Sequence, residues 1–256
     1  MLKISYIQAY SDNYIWLIQT NEGNTLVDPG DAGPVLDFIQ KEEIEIDDIL
    51  ITHHHFDHVG GLKMLKPMIK GSIIGPESKN INDLDYKVKD GETINTIGLK
   101  FSVIEIPGHT LDHIAFYSNT KKDVLFCGDT IFSGGCGRVF EGTFKQMNDS
   151  INILSQLPKS TEIYCAHEYT LSNLIFAKQV EPKNDELNHY YDEVIIMREN
   201  DISTIPTTLN RELQINPFLR VSNASLRESI SDKLNNSVQL SDTEIFKFLR
   251  TWKDSL

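Results

Sequence analysis

The chain has 256 residues, 40% of them hydrophobic and 24% charged, with a formal net charge of −13. That is enough apolar material for one large domain or for one domain with a smaller attachment. The acidic balance argues against nucleic acid as a partner, and no stretch approaches the roughly 18 apolar residues of a membrane span.

In chain order, the N-terminus Met1-Leu2-Lys3-Ile4-Ser5-Tyr6 lacks a basic region followed by an apolar block, so no secretory signal is expected. Residues 2–9, 14–19 and 25–27 read as strands, the last ending at the turn Asp28-Pro29-Gly30. Residues 33–41 read as a helix opened by Pro34, with Val35, Leu36 and Ile39 facing inward. A buried strand over 46–52 follows, and another helix begins at 61–65. Further strands are expected at 71–75, 100–106, 114–118, 124–127 and 162–166.

Thr143-Phe144-Lys145-Gln146 forms a capping box, and the helix behind it carries Phe144, Met147, Ile151 and Leu154 on one face. After Tyr169 the texture changes. Helical periods run through 171–180 and 187–200, then a connector holds Pro206 and Pro217. Two last helices are expected behind the boxes Ser225-x-x-Glu228 and Ser241-x-x-Glu244. The final one carries Ile245, Phe246, Leu249 and Trp252 on one face, with Arg250 and Lys253 as exposed neighbours. The boundary therefore falls near residue 170, giving a mixed α/β domain over 1–170 and a small helical domain over 171–256.

The chemistry concentrates in Thr52-His53-His54-His55-Phe56-Asp57-His58, which follows an apolar strand and precedes Gly60-Gly61. Unpaired, these groups are costly to bury; deprotonated, they offer nitrogen and oxygen donors to a divalent metal. An extended backbone would place His53, His55 and Asp57 on one side and His54 and Phe56 on the other, with His58 swinging back where a helix begins. An affinity tag would sit at a terminus without interleaved Phe and Asp. More donors stand just past strands: His109 in Pro107-Gly108-His109-Thr110, Asp129 in Cys127-Gly128-Asp129-Thr130, and His167 in Ala166-His167-Glu168-Tyr169. Strand ends along one sheet edge are where α/β proteins assemble sites.

His53-x-His55-x-Asp57-His58 with His109, Asp129 and His167 resembles the metallo-β-lactamase superfamily in its two-metal form. The resemblance implies an αββα sandwich of two mixed sheets. It assigns His53, His55 and His109 to one metal and Asp57, His58 and His167 to a second, with Asp129 bridging. Zinc suits such ligands, and iron or manganese is also accepted.

Gly135-Cys136-Gly137-Arg138, Glu141-Gly142-Thr143, His167-Glu168-Tyr169-Thr170, Val180-Glu181-Pro182 and Asn216-Pro217-Phe218-Leu219-Arg220 narrow this to a resemblance to the glyoxalase II, or hydroxyacylglutathione hydrolase, family. That implies cleavage of the thioester S-D-lactoylglutathione by a metal-bridging hydroxide, with Asp57 and Asp129 as the catalytic carboxylates. It also implies glutathione contacts at Arg138, Tyr169, Arg250 and Lys253. Where that family often has Tyr, this chain has Phe140, and the missing hydroxyl removes one hydrogen bond of about 0.5–1.5 kcal/mol.

Other residues read in more than one way. His54 is expected to face away from the metals, and His189 to be solvated. His113 reads either as a support for a ligand or as a buried structural histidine. Asp28 reads either as a partner of a ligand histidine or as part of its turn. The cysteines Cys127, Cys136 and Cys165 form no CxxC pair, which fits packing roles in a reducing cytoplasm. No heptad or repeated interface pattern is present, so a monomer is the default. Two rival activities share this scaffold: hydrolysis of another ester, lactone or lactam, and iron-dependent oxygenation of a glutathione persulfide. The first lacks a use for the basic pair on the last helix, and the second needs one iron rather than two complete sites.

Overall fold

The computed structural model describes residues 1–234 and 240–256. Strands Lys3–Ala9 (β1), Asn13–Thr20 (β2) and Gly23–Val27 (β3) form an antiparallel meander. Helix Ala32–Glu42 (α1) crosses over to Asp48–Leu50 (β4), which pairs parallel with β3. The short helices Phe56–Val59 (α2) and Leu62–Leu65 (α3) lead on to Ile73–Pro76 (β5) and Tyr86–Val88 (β6), which complete a mixed six-stranded sheet in the order β1 to β6.

The second sheet begins with Thr93–Thr96 (β7), Leu99–Glu105 (β8), Ile114–Ser118 (β9) and Val124–Gly128 (β10). A two-stranded hairpin, Ile131–Phe132 (β11) with Gly135–Cys136 (β12), then leads to helix Phe144–Leu154 (α4). Glu162–Cys165 (β13) pairs parallel with β10. Helices Thr170–Val180 (α5) and Asp185–Glu199 (α6) follow. The chain then returns as Thr207–Thr208 (β14), antiparallel to β13, so the order is β14-β13-β10-β9-β8-β7. Helices Leu209–Ile215 (α7), Ala224–Ser229 (α8) and Asp242–Asp254 (α9) close the chain.

Strand alternation explains the layering. Tyr14, Trp16 and Ile18 of β2 face the second sheet and share a core with Phe101, Val103, Phe116 and Phe126. Ile15 and Leu17 point the other way, onto Val35 of α1 and Leu62 and Leu65 of α3. β2 is buried on both faces, which is why it reads as an almost unbroken apolar run. The central core continues without a break through Met147, Ile151 and Leu154 of α4 into Phe176, Phe218, Phe246 and Leu249 of the helical region. The result is a helix–sheet–sheet–helix sandwich with a helical C-terminal region.

Several local expectations change. Strand β4 is shorter than 46–52, and the helix begins at Phe56, so Asp57 and His58 lie in a helical turn rather than on an extended strand. The helix expected over 33–41 starts one residue earlier, at Ala32, capped by Asp31 accepting from the Gly33 N–H. The box at Ser225 is not a cap: Asn223 takes that position, accepting from Ser225 N, while Ser225 Oγ donates to Asn223 and Glu181. Strands do not end at Tyr169, because β14 adds an edge to the second sheet from within the connector. The boxes at Thr143 and Ser241 form as expected.

Phe126 is fully buried, its ring 5.1 Å from Tyr164 and stacked against it, and 6.3 Å from Phe101. Phe126→Ala should therefore lower the unfolding free energy by about 3–5 kcal/mol in urea titration.

Candidate metal centre

The two sheets converge at one edge. Ile114 N donates to Thr52 O at 2.9 Å, and Tyr14 N and Trp16 Nε1 donate to Ala166 O and Cys165 O at 2.7 and 2.9 Å. Every candidate ligand leaves a strand at this edge. His53 and His55 follow β4, with Asp57 and His58 in α2 behind them; His109 follows β8, Asp129 follows β10 and His167 follows β13.

Local backbone devices aim Asp129. The pairing of β10 with β13 shifts register between Phe126 and Gly128, and such a bulge redirects the next side chain. Gly128 has φ +47°, and a Cβ there would lie 2.4 Å from Thr52 Oγ1, so the bulge needs glycine. The Asp129 N–H then donates to His113 Nε2 at 3.1 Å.

The donors meet in three groups: His53 with His55 and His109; His53 with His58 and Asp129; and Asp57 with His58 and His167. Within each, the ligand atoms lie within 4.8 Å of one another. Asp129 Oδ1 is 3.4 Å from His58 Nε2 and 3.3 Å from His167 Nε2, whereas Oδ2 faces His109 Nε2 at 3.4 Å. Asp57 Oδ2 is 3.4 Å from His167 Nε2 and 3.6 Å from His58 Nε2. These separations are long for hydrogen bonds. They match two donors held about 2.1 Å from a shared tetrahedral ion, which lie about 3.4 Å apart. His53 Nε2, His58 Nε2 and Asp129 Oδ1 are buried with no hydrogen-bond partner among the described residues. Unpartnered polar atoms converging in this way fit a divalent metal.

The far sides of the rings are committed. His58 Nδ1 lies 2.9 Å from Asp28 Oδ2, His167 Nδ1 2.8 Å from Asp12 Oδ1, His109 Nδ1 2.7 Å from Arg138 O, and His53 Nδ1 3.1 Å from Thr52 Oγ1. Such partners leave Nε2 free to ligate and raise its basicity. Asn13 Nδ2 donates to Asp57 Oδ2 at 2.9 Å. Asp28 does more than turn the chain: it accepts from Thr52 N and Oγ1 and holds His58, from a left-handed backbone with φ +52°. Asp12 and Asn13 escaped the sequence reading because no local spacing ties a turn at residue 12 to ligands as remote as Asp57 and His167.

Protonation follows burial and neighbours. Burial drives His53 far below its ordinary value, with His58 and His113 adding to the effect, and it lowers His109 and His55 too. Burial also opposes charge on His167, yet Asp129 and Asp12 raise it to about 10; His58 is likewise raised against burial by Asp129 and Asp28. Asp129 is held below the usual carboxylate range, burial notwithstanding, by His167 and His58. Protons held on His58 and His167 stand where a bound cation supplies its charge.

His54 does turn away: its Nδ1 lies 2.9 Å from Asp112 and its Nε2 3.4 Å from Glu141. His113 resolves as a support, stacked 4.4 Å from His53 and kept neutral by burial, which lowers it to about 3. His189 is exposed on α6, as expected.

A cavity of about 500 Å³ adjoins the donors. Its lining brings His109 and Asp129 together with Arg138, Phe140, Tyr169, Arg250 and Lys253. Tyr169 stacks on His167 at 4.8 Å, and Phe140 stands edge-on to His55 and His109 at 5.7 and 5.3 Å. Arg250 departs from expectation. It is 3% exposed rather than a solvated cation, because its Nη1 donates to Cys136 O at 2.9 Å and its Nε and Nη2 hold Asp254. Lys253 is half-buried and donates to Asn173 Oδ1.

Residues 11–79 and 69–167 match the metallo-beta-lactamase superfamily, and residues 168–256 match the hydroxyacylglutathione hydrolase C-terminus. Proteins named hydroxyacylglutathione hydrolase from Aliivibrio fischeri and Photobacterium profundum are 47% and 48% identical to this chain. They align over 99% and 100% of both partners. The chain belongs to the hydroxyacylglutathione hydrolase family. Its fold is shared with a metallo-beta-lactamase from Staphylococcus aureus subsp. aureus COL (TM-score 0.64, 20% identity, 98% of this chain and 71% of that one). ETHE1 from Myxococcus xanthus shares it as well (TM-score 0.60, 22% identity, 96% and 95%).

If Asp28 orients His58, Asp28→Ala should weaken metal binding about 10–100-fold, read by competition against a chelator. Unchanged affinity would reduce Asp28 to a turn residue.

Proposed function

We propose that the chain hydrolyses S-D-lactoylglutathione, and related S-2-hydroxyacylglutathiones, to glutathione and D-lactate, the second step of methylglyoxal detoxification. One observation carries the reading: a single cavity is lined both by metal-ligand donors and by the cations Arg138, Arg250 and Lys253. A thioester with a carboxylate-bearing arm needs both.

We assign two divalent ions per chain, with zinc preferred and iron or manganese acceptable. His53, His55 and His109 hold one, Asp57, His58 and His167 the other, and Asp129 serves both. The opposite facing of the two Asp129 oxygens supports this division, since one carboxylate can span metals about 3.5–4 Å apart. Bound there, such ions supply a water activated at neutral pH and a Lewis acid for the thioester carbonyl. Asp57 and Asp129 are the carboxylates of that chemistry.

The remaining steps fall to side chains of the cavity. Lys253, with Arg250 behind it, meets the glycyl carboxylate of glutathione, and Arg138 stands exposed at the rim. Tyr169 offers a ring face beside His167, and Phe140 an apolar edge beside His109. The leaving thiolate needs no strong acid. No cysteine competes as nucleophile: burial raises Cys127 to about 12 and pushes Cys136 and Cys165 up as well. The three free, buried thiols support a reducing cytoplasm as the setting. We further read residues 1–170 as the catalytic domain and 171–256 as the substrate-binding domain, acting within a monomer.

Loss of absorbance at the thioester band on adding S-D-lactoylglutathione, with elemental analysis of the same preparation, tests the reading. Turnover with about two metals per chain is expected. Equal or faster hydrolysis of a lactone would overturn the thioester assignment. Asp129→Ala should lose both metals and turnover together; wild-type rates in metal-depleted Asp129→Ala would refute the shared ligand.

Burial, with Arg250 nearby, lowers Lys253 to about 8. A lowered lysine is charged below that value and neutral above it, so kcat/KM should fall as pH rises through about 8. Lys253→Met should show a reduced kcat/KM without that falling limb; a limb that persists would assign it to another group.

A further inference from the structure

The hairpin β11–β12 joins Asp129 to Arg138, and its turn, Ser133-Gly134, points away from the metal donors into the helical region. There it meets Glu212 of α7, a fully buried carboxylate that the proposed chemistry does not use. Four donors converge on it: Ser133 Oγ at 3.0 Å, Gly134 N at 2.8 Å, Thr207 Oγ1 at 2.7 Å and Asn216 Nδ2 at 2.9 Å. An ionised carboxylate is the one side chain that accepts from four donors and brings none of its own. Burial pushes this carboxyl upward, and each of the four donors pulls it back.

Other side chains from the same region complete the grip. Asn216 Nδ2 also donates to Phe132 O and Gly135 O, Asn173 Nδ2 to Ser133 O, and Arg250 Nη1 to Cys136 O. Gly134 has φ +69°, and a Cβ there would come within 2.7 Å of Leu174. Asn173 is also the acceptor for Lys253, so both cations that face the cavity from α9 are tied to this hairpin.

We infer that Glu212 is a positioning residue for substrate recognition: by clamping the Ser133-Gly134 turn it sets the hairpin against which Arg250 and Lys253 are aligned for the glutathione arm. The inference rests on the functional reading above. Asp129 and His109 keep their own anchors, at His113 and at Arg138 O, so metal binding does not depend on the clamp.

Glu212→Gln places N–H donors among donors and tests this. KM for S-D-lactoylglutathione should rise about tenfold, the size of one lost charge-assisted bond, with metal content unchanged and kcat altered less than about twofold. For S-acetyl-N-acetylcysteamine, which lacks the peptide arms, kcat/KM should change by less than about twofold. An equal loss on both thioesters, or an unchanged KM, overturns the inference. The milder Ser133→Ala removes one donor and should raise KM about threefold, which covers the case in which Glu212→Gln does not fold. If the wild type leaves glutathione thioesters intact, the functional reading fails by itself, and the clamp is judged by thiol labelling read peptide by peptide. Loosening of the hairpin should speed labelling of Cys136 about fivefold or more while Cys127 and Cys165 stay protected. No change at Cys136, or equal acceleration at all three, overturns it.

Discussion

The carboxylate of Asp129 is the constraint around which the site is organised. Its two oxygens face different imidazoles, Oδ1 toward His58 and His167 and Oδ2 toward His109, so one side chain serves both halves of a donor cluster. A carboxylate can do this only if its plane and depth are held closely. The register shift before it, the left-handed Gly128 and the bond from its N–H to His113 all fix the backbone rather than the side chain. Side-chain freedom is then limited by the rings that surround it.

A cluster of this kind is unfavourable without a cation. Seven donors lie together at the sheet edge, and His53, His58 and His109 are almost fully buried. Burial keeps His53 and His109 neutral, whereas carboxylates draw protons onto His58 and His167. The supporting ring of Asp12, Asp28, Thr52 and Arg138 O faces Nδ1 of His167, His58, His53 and His109, so their Nε2 atoms turn toward one another, and His55 joins them through Nδ1, 3.0 Å from His109 Nε2. Stability given up here is recovered in the continuous core behind the site, where Trp16, Phe101, Phe126 and Tyr164 pack between the sheets.

The helical region is more than an added wall. β14 extends the second sheet, the main core runs unbroken into α5 and α9, and the β11–β12 hairpin is gripped by polar groups from α5, α7 and α9. Metal donors and cavity cations therefore meet along one short segment, residues 129–138. That segment's backbone holds the cations Arg250 and Lys253 in place, whereas Asp129 is held separately by His113. The same contact explains the burial of Arg250: a guanidinium that must hold a carbonyl of this segment cannot remain in solvent.

Much of the site was legible in residue order, because strand ends and close spacing are local properties. His53, His55, Asp57 and His58 announce themselves within six residues, and His109, Asp129 and His167 each follow an apolar run. The capping boxes at Thr143 and Ser241 are equally local, since a side chain three positions along decides them. What the order of residues could not decide is whatever depends on a distant partner. Asn223 displaced Ser225 as a cap once Ser225 had Glu181 to bind; Thr207-Thr208 became a strand because β13 offered an open edge. Asp12, Asn13 and Glu212 carry no local signal, and their roles exist only because folding sets them against His167, Asp57 and the Ser133-Gly134 turn. Sequence alone determined which donors this protein has; tertiary structure decided which of their atoms face inward, since hydrogen bonds from remote segments orient the rings of His58, His109 and His167.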